Sequence, residues 1–206
     1  MNIFAESIYK RFHQTWIIRD FNHTFSSNKI YGIAGLNGSG KTTLLQILAG
    51  LIPPSKGKIK YIENEKPVAE ESWYESVCYA APYADLYEYM NLEELIIHHL
   101  AFKKFANKIS FKEFVDVVFL NGHEHKLIKM YSSGMKQRLK LGLSILSESK
   151  ILFLDEPQSN LDEYSKNWYQ NLLKDNAKEK IVIIASNEAE DFKMVDERIE
   201  LKTLMK

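Results

Sequence analysis

The run Gly35-Leu36-Asn37-Gly38-Ser39-Gly40-Lys41-Thr42 constrains this chain more than any other stretch. It matches the pattern G-x-x-x-x-G-K-[ST]. The segment before it, Lys29 to Ala34, is apolar and reads as a strand. The segment after it, Thr42 to Leu51, places Leu44, Leu45, Leu48 and Leu51 at helical spacing. A strand feeding a glycine-rich turn that opens a helix is the context of a phosphate-binding loop. Gly35, Gly38 and Gly40 let the backbone wrap tightly and turn its N–H groups inward at phosphate oxygens. The helix start adds the positive end of its dipole. Lys41 supplies a full charge to the β- and γ-phosphates, and the Thr42 hydroxyl ligates Mg²⁺. Asn37, Ser39 and Thr43 complete the predicted nucleotide-binding loop.

The rest of the chain fits a nucleotide-binding core. Ser7 to Phe12 and Trp16 to Phe25 are aromatic and β-rich. Lys58 to Ile62 and Ser76 to Ala81 are short strand candidates. Gly50 and the pair Pro53-Pro54 end the first helix. The middle of the chain is helical. Asn91 with Glu94, and Ser110 with Glu113, have the spacing of capping boxes, each followed by apolar residues on one face. A third helix runs from about Gly134 to Leu146. Lys150 to Asp155 and Lys180 to Ser186 then read as buried parallel strands, with a helix from about Tyr164 to Lys174 between them. Strands alternating with helices, with glycine after an early strand, predict an α/β fold. The expected organisation is one domain over residues 1–206. Its core covers about 1–82 and 147–206, and a helical subdomain covers about 83–146.

A second site signal lies at the end of Ile151-Leu152-Phe153-Leu154-Asp155-Glu156, an apolar strand closed by two carboxylates. An unpaired buried charge is costly, so adjacent acids there call for a reason. A Mg²⁺ ion is such a reason, with Asp155 holding the metal and Glu156 polarising the attacking water as general base.

Charge and composition exclude several classes. The 27 acidic residues balance the 27 basic ones, which gives no global electrostatic reason to expect nucleic acid. Cys78 is the one cysteine, so the chain has no disulfide framework, and a reducing cytosol suits it. Met1 to Lys10 lacks the apolar core of a signal peptide. No apolar run approaches the roughly 18 residues of a membrane span, so a membrane role requires a partner.

With these residues in view, the chain resembles the ATP-binding cassette (ABC) family over nearly its whole length. Tyr131-Ser132-Ser133-Gly134-Met135 is similar to the family signature, usually Leu-Ser-Gly-Gly-Gln, and keeps Ser132 and Gly134. It is followed by Lys136-Gln137-Arg138-Leu139 and precedes the acidic strand at a short interval. Ser159-Asn160-Leu161-Asp162 resembles the loop that follows that strand. The resemblance implies a P-loop cassette with a mostly parallel core sheet, an N-terminal antiparallel β subdomain and a helical insert. It implies an ATPase using ATP and Mg²⁺. Ser132 and Gly134 would complete the ATP site of a second cassette in a two-fold sandwich. It implies a transmembrane permease subunit as partner, and hence a cytoplasmic position, peripheral on the inner face of the cell membrane. The family stacks an aromatic residue on adenine after its first strand. Phe12 matches that position, with Tyr9 and Trp16 as nearby alternatives.

Two usual family residues are missing. No glutamine occurs between Gln46 and Gln137, and Pro82 stands where the glutamine after the middle strand is expected. No histidine follows His125, and Asn187 takes the place of the histidine after the final strand. Asparagine can donate to a γ-phosphate oxygen but carries no charge and shuttles no proton. These replacements imply slowed hydrolysis. They leave open an alternative function, a soluble or weakly hydrolysing regulatory ATPase of the same type that is not coupled to transport.

Overall fold

The opening strand breaks the alternation that would reveal it. Ile3, Ala5 and Ile8 point into the core, so Glu6 and Ser7 form an extra exposed step between Ala5 and Ile8. Ser7 adopts a positive φ of 47° there, and the register to both neighbouring strands shifts at the same point. Such a bulge inserts unpaired residues and bends the strand. The strand therefore begins at Asn2, five residues before the point where its sequence alone reads as β.

The computed structural model describes residues 1–201, which divide into two units. The first comprises Met1–Tyr79, Ser149–Glu156 and the chain from Ala177 onward. In order, its elements are β1 (Asn2–Phe12), β2 (Thr15–Ser26), β3 (Lys29–Ala34), α1 (Lys41–Leu48), β4 (Lys56–Glu63) and β5 (Lys66–Pro67). They continue with α2 (Trp73–Ser76), β6 (Val77–Ala80), β7 (Ile151–Asp155), β8 (Ile181–Ser186) and β9 (Glu197–Glu200). One sheet has the order β2-β1-β4-β5 and is antiparallel. The other has the order β6-β7-β8-β3-β9. In it, β3 pairs in parallel with both β8 and β9, and β7 pairs in parallel with β8. This is the α/β cassette architecture, with an antiparallel β subdomain beside a parallel core sheet.

Every residue of β7 and β8 is buried, as expected for central strands of a parallel sheet covered on both faces. Ile33, Phe153 and Ile183 meet Leu44, Leu45 and Leu48 of α1 and Phe25 of β2 in one apolar core. Fully burying side chains of this size stabilises the fold by roughly 1.5–3 kcal/mol each. Tyr61 stacks on Trp73 at 4.1 Å within the same core. The parallel register sets Ala34 beside Ser186 and Asp155 beside Ala185. The residues that follow these three strands therefore emerge at the same, carboxyl end of the sheet. That end is where open α/β sheets bind ligands.

The second unit comprises Ala80–Glu148 and Pro157–Asn176. It carries α3 (Leu92–Leu100), α4 (Phe111–Val117), α5 (Ser133–Ile145) and α6 (Glu163–Asn176). Both capping boxes form. Asn91 Oδ1 accepts from Glu94 N at 2.9 Å while Glu94 Oε2 accepts from Asn91 N at 2.8 Å. Ser110 and Glu113 repeat the arrangement. Each satisfies two orphan donors at a helix start. Leu92, Leu95, Phe114, Val118, Leu139 and Leu143 form this unit's own core. Among the described residues, no helix is long and apolar enough to cross a membrane.

Candidate nucleotide site

The glycine-rich loop leaves β3 and closes on the first turn of α1. Gly40 caps the helix with φ 97° and ψ 14°. A β-carbon there would stand 2.6 Å from Ile17 Cγ2, so both the left-handed backbone and the close approach require glycine. The loop is tightened by a bond from Ser39 N to Leu36 O at 3.1 Å. Ser39 is buried and its Oγ has no hydrogen-bond partner among the described residues. Lys41 is only 6% exposed. Its Nζ donates to the carbonyls of Gly35 at 3.0 Å and Leu36 at 3.3 Å, and lies 3.9 Å from Glu156 Oε1. The ammonium is thus folded over the loop. Thr42 and Thr43 stand beside it in the first helical turn.

Asp155 is the last residue of β7 and is 1% exposed. Neither of its carboxylate oxygens has a hydrogen-bond partner among the described residues. The Thr42 hydroxyl is placed toward it without closing a bond of normal geometry. Burial raises the Asp155 pKa above the usual carboxylate value, Thr42 opposes the rise, the neighbouring Glu156 charge adds to it, and Lys41 opposes it. An ionised acid in this position is short of a cation.

Glu156 takes a φ of 43°, an uncommon conformation for a residue with a side chain. Its backbone N donates to Ala185 O at 2.8 Å, which fixes the turn onto the neighbouring strand. The side chain is then held at both ends. Oε1 faces Lys41, and Oε2 lies 3.1 Å from Ser186 Oγ. Ser186 Oγ also meets Asp191 Oδ2 and accepts from Glu188 N at 3.0 Å. Asn187, next along, donates through Nδ2 to Asn37 Oδ1 at 2.9 Å.

Lys41, Thr42, Asp155, Glu156, Asn37 and Asn187 are therefore gathered where the parallel strands end. Ser186 and Asp191 belong to the same cluster, and the sequence alone does not single them out. Ser186 ends an apolar strand beside Asn187, and Asp191 is a buried acid in a short turn, Ala189–Phe192, within an acidic stretch. The adjacency of Ser186 to Asn187 was the one signal available. Phe12 lies at the end of β1, 48% exposed, with Lys10 Nζ 5.1 Å from its ring centre. Tyr9 is instead engaged edge-to-face with Trp16 at 5.8 Å.

The signature residues belong to the second unit. Ser132 is the N-cap of α5, its Oγ accepting from Met135 N at 3.2 Å. A β-carbon at Gly134 would come within 3.3 Å of Asn160 O. Gln137 is buried and donates to Pro157 O at 2.9 Å. Pro82 offers its carbonyl to Lys140 Nζ at 2.5 Å.

Comparison with known proteins follows the same lines. A family profile described as ABC transporter matches residues 18–159. The Bacillus subtilis ABC transporter ATP-binding protein YxlF is 31% identical over 199 residues, covering 94% of this chain and 65% of that protein. A second one from B. subtilis, YybJ, is 31% identical over 189 residues, covering 88% of this chain and 84% of its own length. Other relatives run longer, and the chain spans 48% and 45% of two of them. Among solved structures, the ATP-binding cassette MJ0796 superposes with a TM-score of 0.80 at 16% identity, over 98% of this chain and 94% of that one. That structure is a dimer in a post-hydrolysis state, bound to ADP and Pi. By the extent of these matches, the chain belongs to the ABC transporter family as an ATP-binding cassette.

Proposed function

We propose that this chain binds and hydrolyses ATP as the energy-supplying subunit of an ABC transporter. The observation that carries the reading is the meeting of Lys41 with Glu156 at 3.9 Å, beside an Asp155 carboxylate whose two oxygens have no hydrogen-bond partner among the described residues. Two buried carboxylate oxygens next to a threonine hydroxyl suit a hard, oxygen-seeking divalent cation. Thr42 and Asp155 are the residues that would hold Mg²⁺, which when bound neutralises charge on the β- and γ-phosphates.

The chain's own groups then have distinct tasks. The loop N–H groups and the start of α1 receive the phosphates. Lys41 exchanges its two loop carbonyls for phosphate oxygens, a charge-assisted contact in place of neutral ones. Glu156 orients a water and takes its proton as the water oxygen bonds to the γ-phosphorus. The bond from that phosphorus to the bridging oxygen breaks, releasing ADP and phosphate. Asn187 gives up Asn37 and donates to a γ-phosphate oxygen. As a neutral donor it stabilises developing charge less than an imidazolium does. Together with Pro82, which offers no side-chain hydrogen bond, this implies slow turnover.

Assembly completes the reading. Ser132 and Gly134 at the start of α5 present backbone N–H groups to the nucleotide of a second cassette, and Phe12 stacks on adenine. Two nucleotides are then enclosed in a two-fold dimer. A transmembrane permease supplies the pathway and holds the cassettes at the cytoplasmic face of the membrane. The names of YxlF and YybJ, and the ADP and Pi in the dimeric neighbour, support this reading. The test is gentle extraction of native membranes with this chain tagged, followed by phosphate-release assays on the complex. A co-extracted membrane protein, and loss of turnover in Glu156→Gln, are expected. A Glu156→Gln complex that hydrolyses ATP at the wild-type rate would overturn the assignment.

A further inference from the structure

Glu156 has two carboxylate oxygens and two holders. Lys41 Nζ is 3.9 Å from Oε1, and Ser186 Oγ is 3.1 Å from Oε2. In the proposed mechanism Lys41 turns to the phosphates when nucleotide arrives. Ser186 is then the side chain left to set the aim of the carboxylate. It is well placed to do so, because it ends a strand buried at every position and is itself fully buried.

The Ser186 hydroxyl is fixed in turn. Its oxygen accepts from Glu188 N at 3.0 Å, and it meets Asp191 Oδ2 in a short contact. A hydroxyl has one proton to give. Here that proton stands between two carboxylates, Glu156 and Asp191, so what Asp191 does at Ser186 is felt at Glu156. Asp191 is only 5% exposed, and its buried place in the turn after β8 suits it as an anchor. Lys41 and Asp155 are charged groups of the same site.

We propose that Ser186 and Asp191 are positioning residues for ATP hydrolysis, Ser186 holding the Glu156 carboxylate in line and Asp191 acting through Ser186. The proposal rests on the reading of Glu156 as general base. Neither residue touches nucleotide, so their loss is felt in kcat and not in the capture of ATP. Small buried hydrogen bonds of this type matter here because a misaimed base loses its near-attack geometry.

The experiment is steady-state phosphate release as a function of Mg-ATP, with nucleotide affinity measured separately, on the assembled transporter. The variants are Ser186→Ala, Ser186→Cys, Ser186→Thr, Asp191→Ala and the double variant Ser186→Ala/Asp191→Ala. Ser186→Ala and Ser186→Cys are expected to lower kcat about five- to tenfold, the scale of one lost hydrogen bond. KM and ATP affinity should stay within about twofold. Ser186→Thr, which keeps the hydroxyl, should restore kcat. Asp191→Ala should lower kcat by a smaller factor, and the double variant should be no slower than Ser186→Ala, as required of a residue that acts through another. The cysteine variant leaves no cavity, so it reports even if the alanine variant fails to fold. Wild-type kcat in Ser186→Cys, or a rise in KM at unchanged kcat, overturns the proposal. Additive losses in the double variant overturn the part given to Asp191. If Glu156→Gln itself retains turnover, it is the general-base reading that fails. If Glu156→Gln is inactive while the Ser186 variants match wild type, the positioning role fails alone.

Discussion

Asn187 Nδ2 donates to Asn37 Oδ1 at 2.9 Å and so ties the end of β8 to the phosphate loop across 150 residues of chain. Both side chains belong to the predicted nucleotide site, yet here they satisfy each other. In the proposed mechanism nucleotide entry separates them, and Asn187 then donates to the γ-phosphate. Asn187→Ala removes that donor and is expected to slow phosphate release several-fold at saturating Mg-ATP. Asn187→His adds a group that can carry charge and should raise the rate. Rates measured on the assembled transporter would decide it. Equal rates for wild type and Asn187→Ala would place the γ-phosphate contact elsewhere.

Lys41 has the clearest cost. Its ammonium is nine-tenths buried and held by two loop carbonyls, in a position from which a phosphate can claim it. Lys41→Ala removes a charge-assisted contact worth roughly 1.5–3 kcal/mol. Mg-ATP affinity should fall about tenfold or more in a calorimetric titration, while the circular dichroism spectrum stays that of the wild type. Unchanged affinity would refute the phosphate-loop assignment.

The sandwich model makes a prediction about assembly. Glu156→Gln keeps the shape of the side chain and removes the base, a change typically costing about 10²–10⁴ in rate. With ATP no longer consumed, that variant should sediment as a dimer in Mg-ATP and as a monomer without it. A bulky charge at the α5 N-cap, as in Ser132→Arg on the same background, should prevent the dimer. A Glu156→Gln chain that stays monomeric at high Mg-ATP, even with its membrane partner, counts against the model.

Asp155 links function to stability with a definite sign. Burial raises its folded-state pKa above the unfolded value. Its contribution is therefore favourable and fully present below the usual carboxylate range, and is lost as pH rises through the raised pKa. Above that raised pKa the nucleotide-free protein holds a buried, ionised carboxylate whose oxygens lack hydrogen-bond partners among the described residues. Asp155→Asn should then raise the melting temperature of the nucleotide-free chain by about 2–4 °C for each kcal/mol recovered. The gain should shrink as pH is lowered, and the extra stabilisation by Mg-ATP should be lost. A variant that melts below wild type at neutral pH would mean that Lys41 already compensates Asp155.

The elements that could be read from the sequence are those whose chemistry is contained within a few residues. Gly35 to Thr42 needs only its own backbone and the adjoining helix start, and Gly40 adopts the left-handed conformation that the pattern demands. The capping boxes at Asn91 and Ser110 form because donor and acceptor lie three residues apart. Asp155 and Glu156 stand out because two acids close an apolar strand. By contrast, the start of β1 was hidden because the bulge at Ser7 interrupts the two-residue period that identifies a strand.

Tertiary structure alone decided which of these pieces meet. The parallel pairing of β3 and β7 with β8 sets Ala34 beside Ser186 and Asp155 beside Ala185. That register brings Asn37 to Asn187, and Glu156 to Ser186 and its anchor Asp191. Apart from the adjacency of Ser186 to Asn187, nothing local announces these partners. A serine at a strand end and an aspartate in a surface-like acidic stretch have many possible bonds, and only the strand order selects among them. The sequence by itself therefore determined the phosphate loop, the acidic strand end and the family. The choice of which side chains aim and restrain the proposed general base came from the sheet, because hydrogen bonds reach about 3 Å and only the folded register brings residues so far apart in the chain within that range.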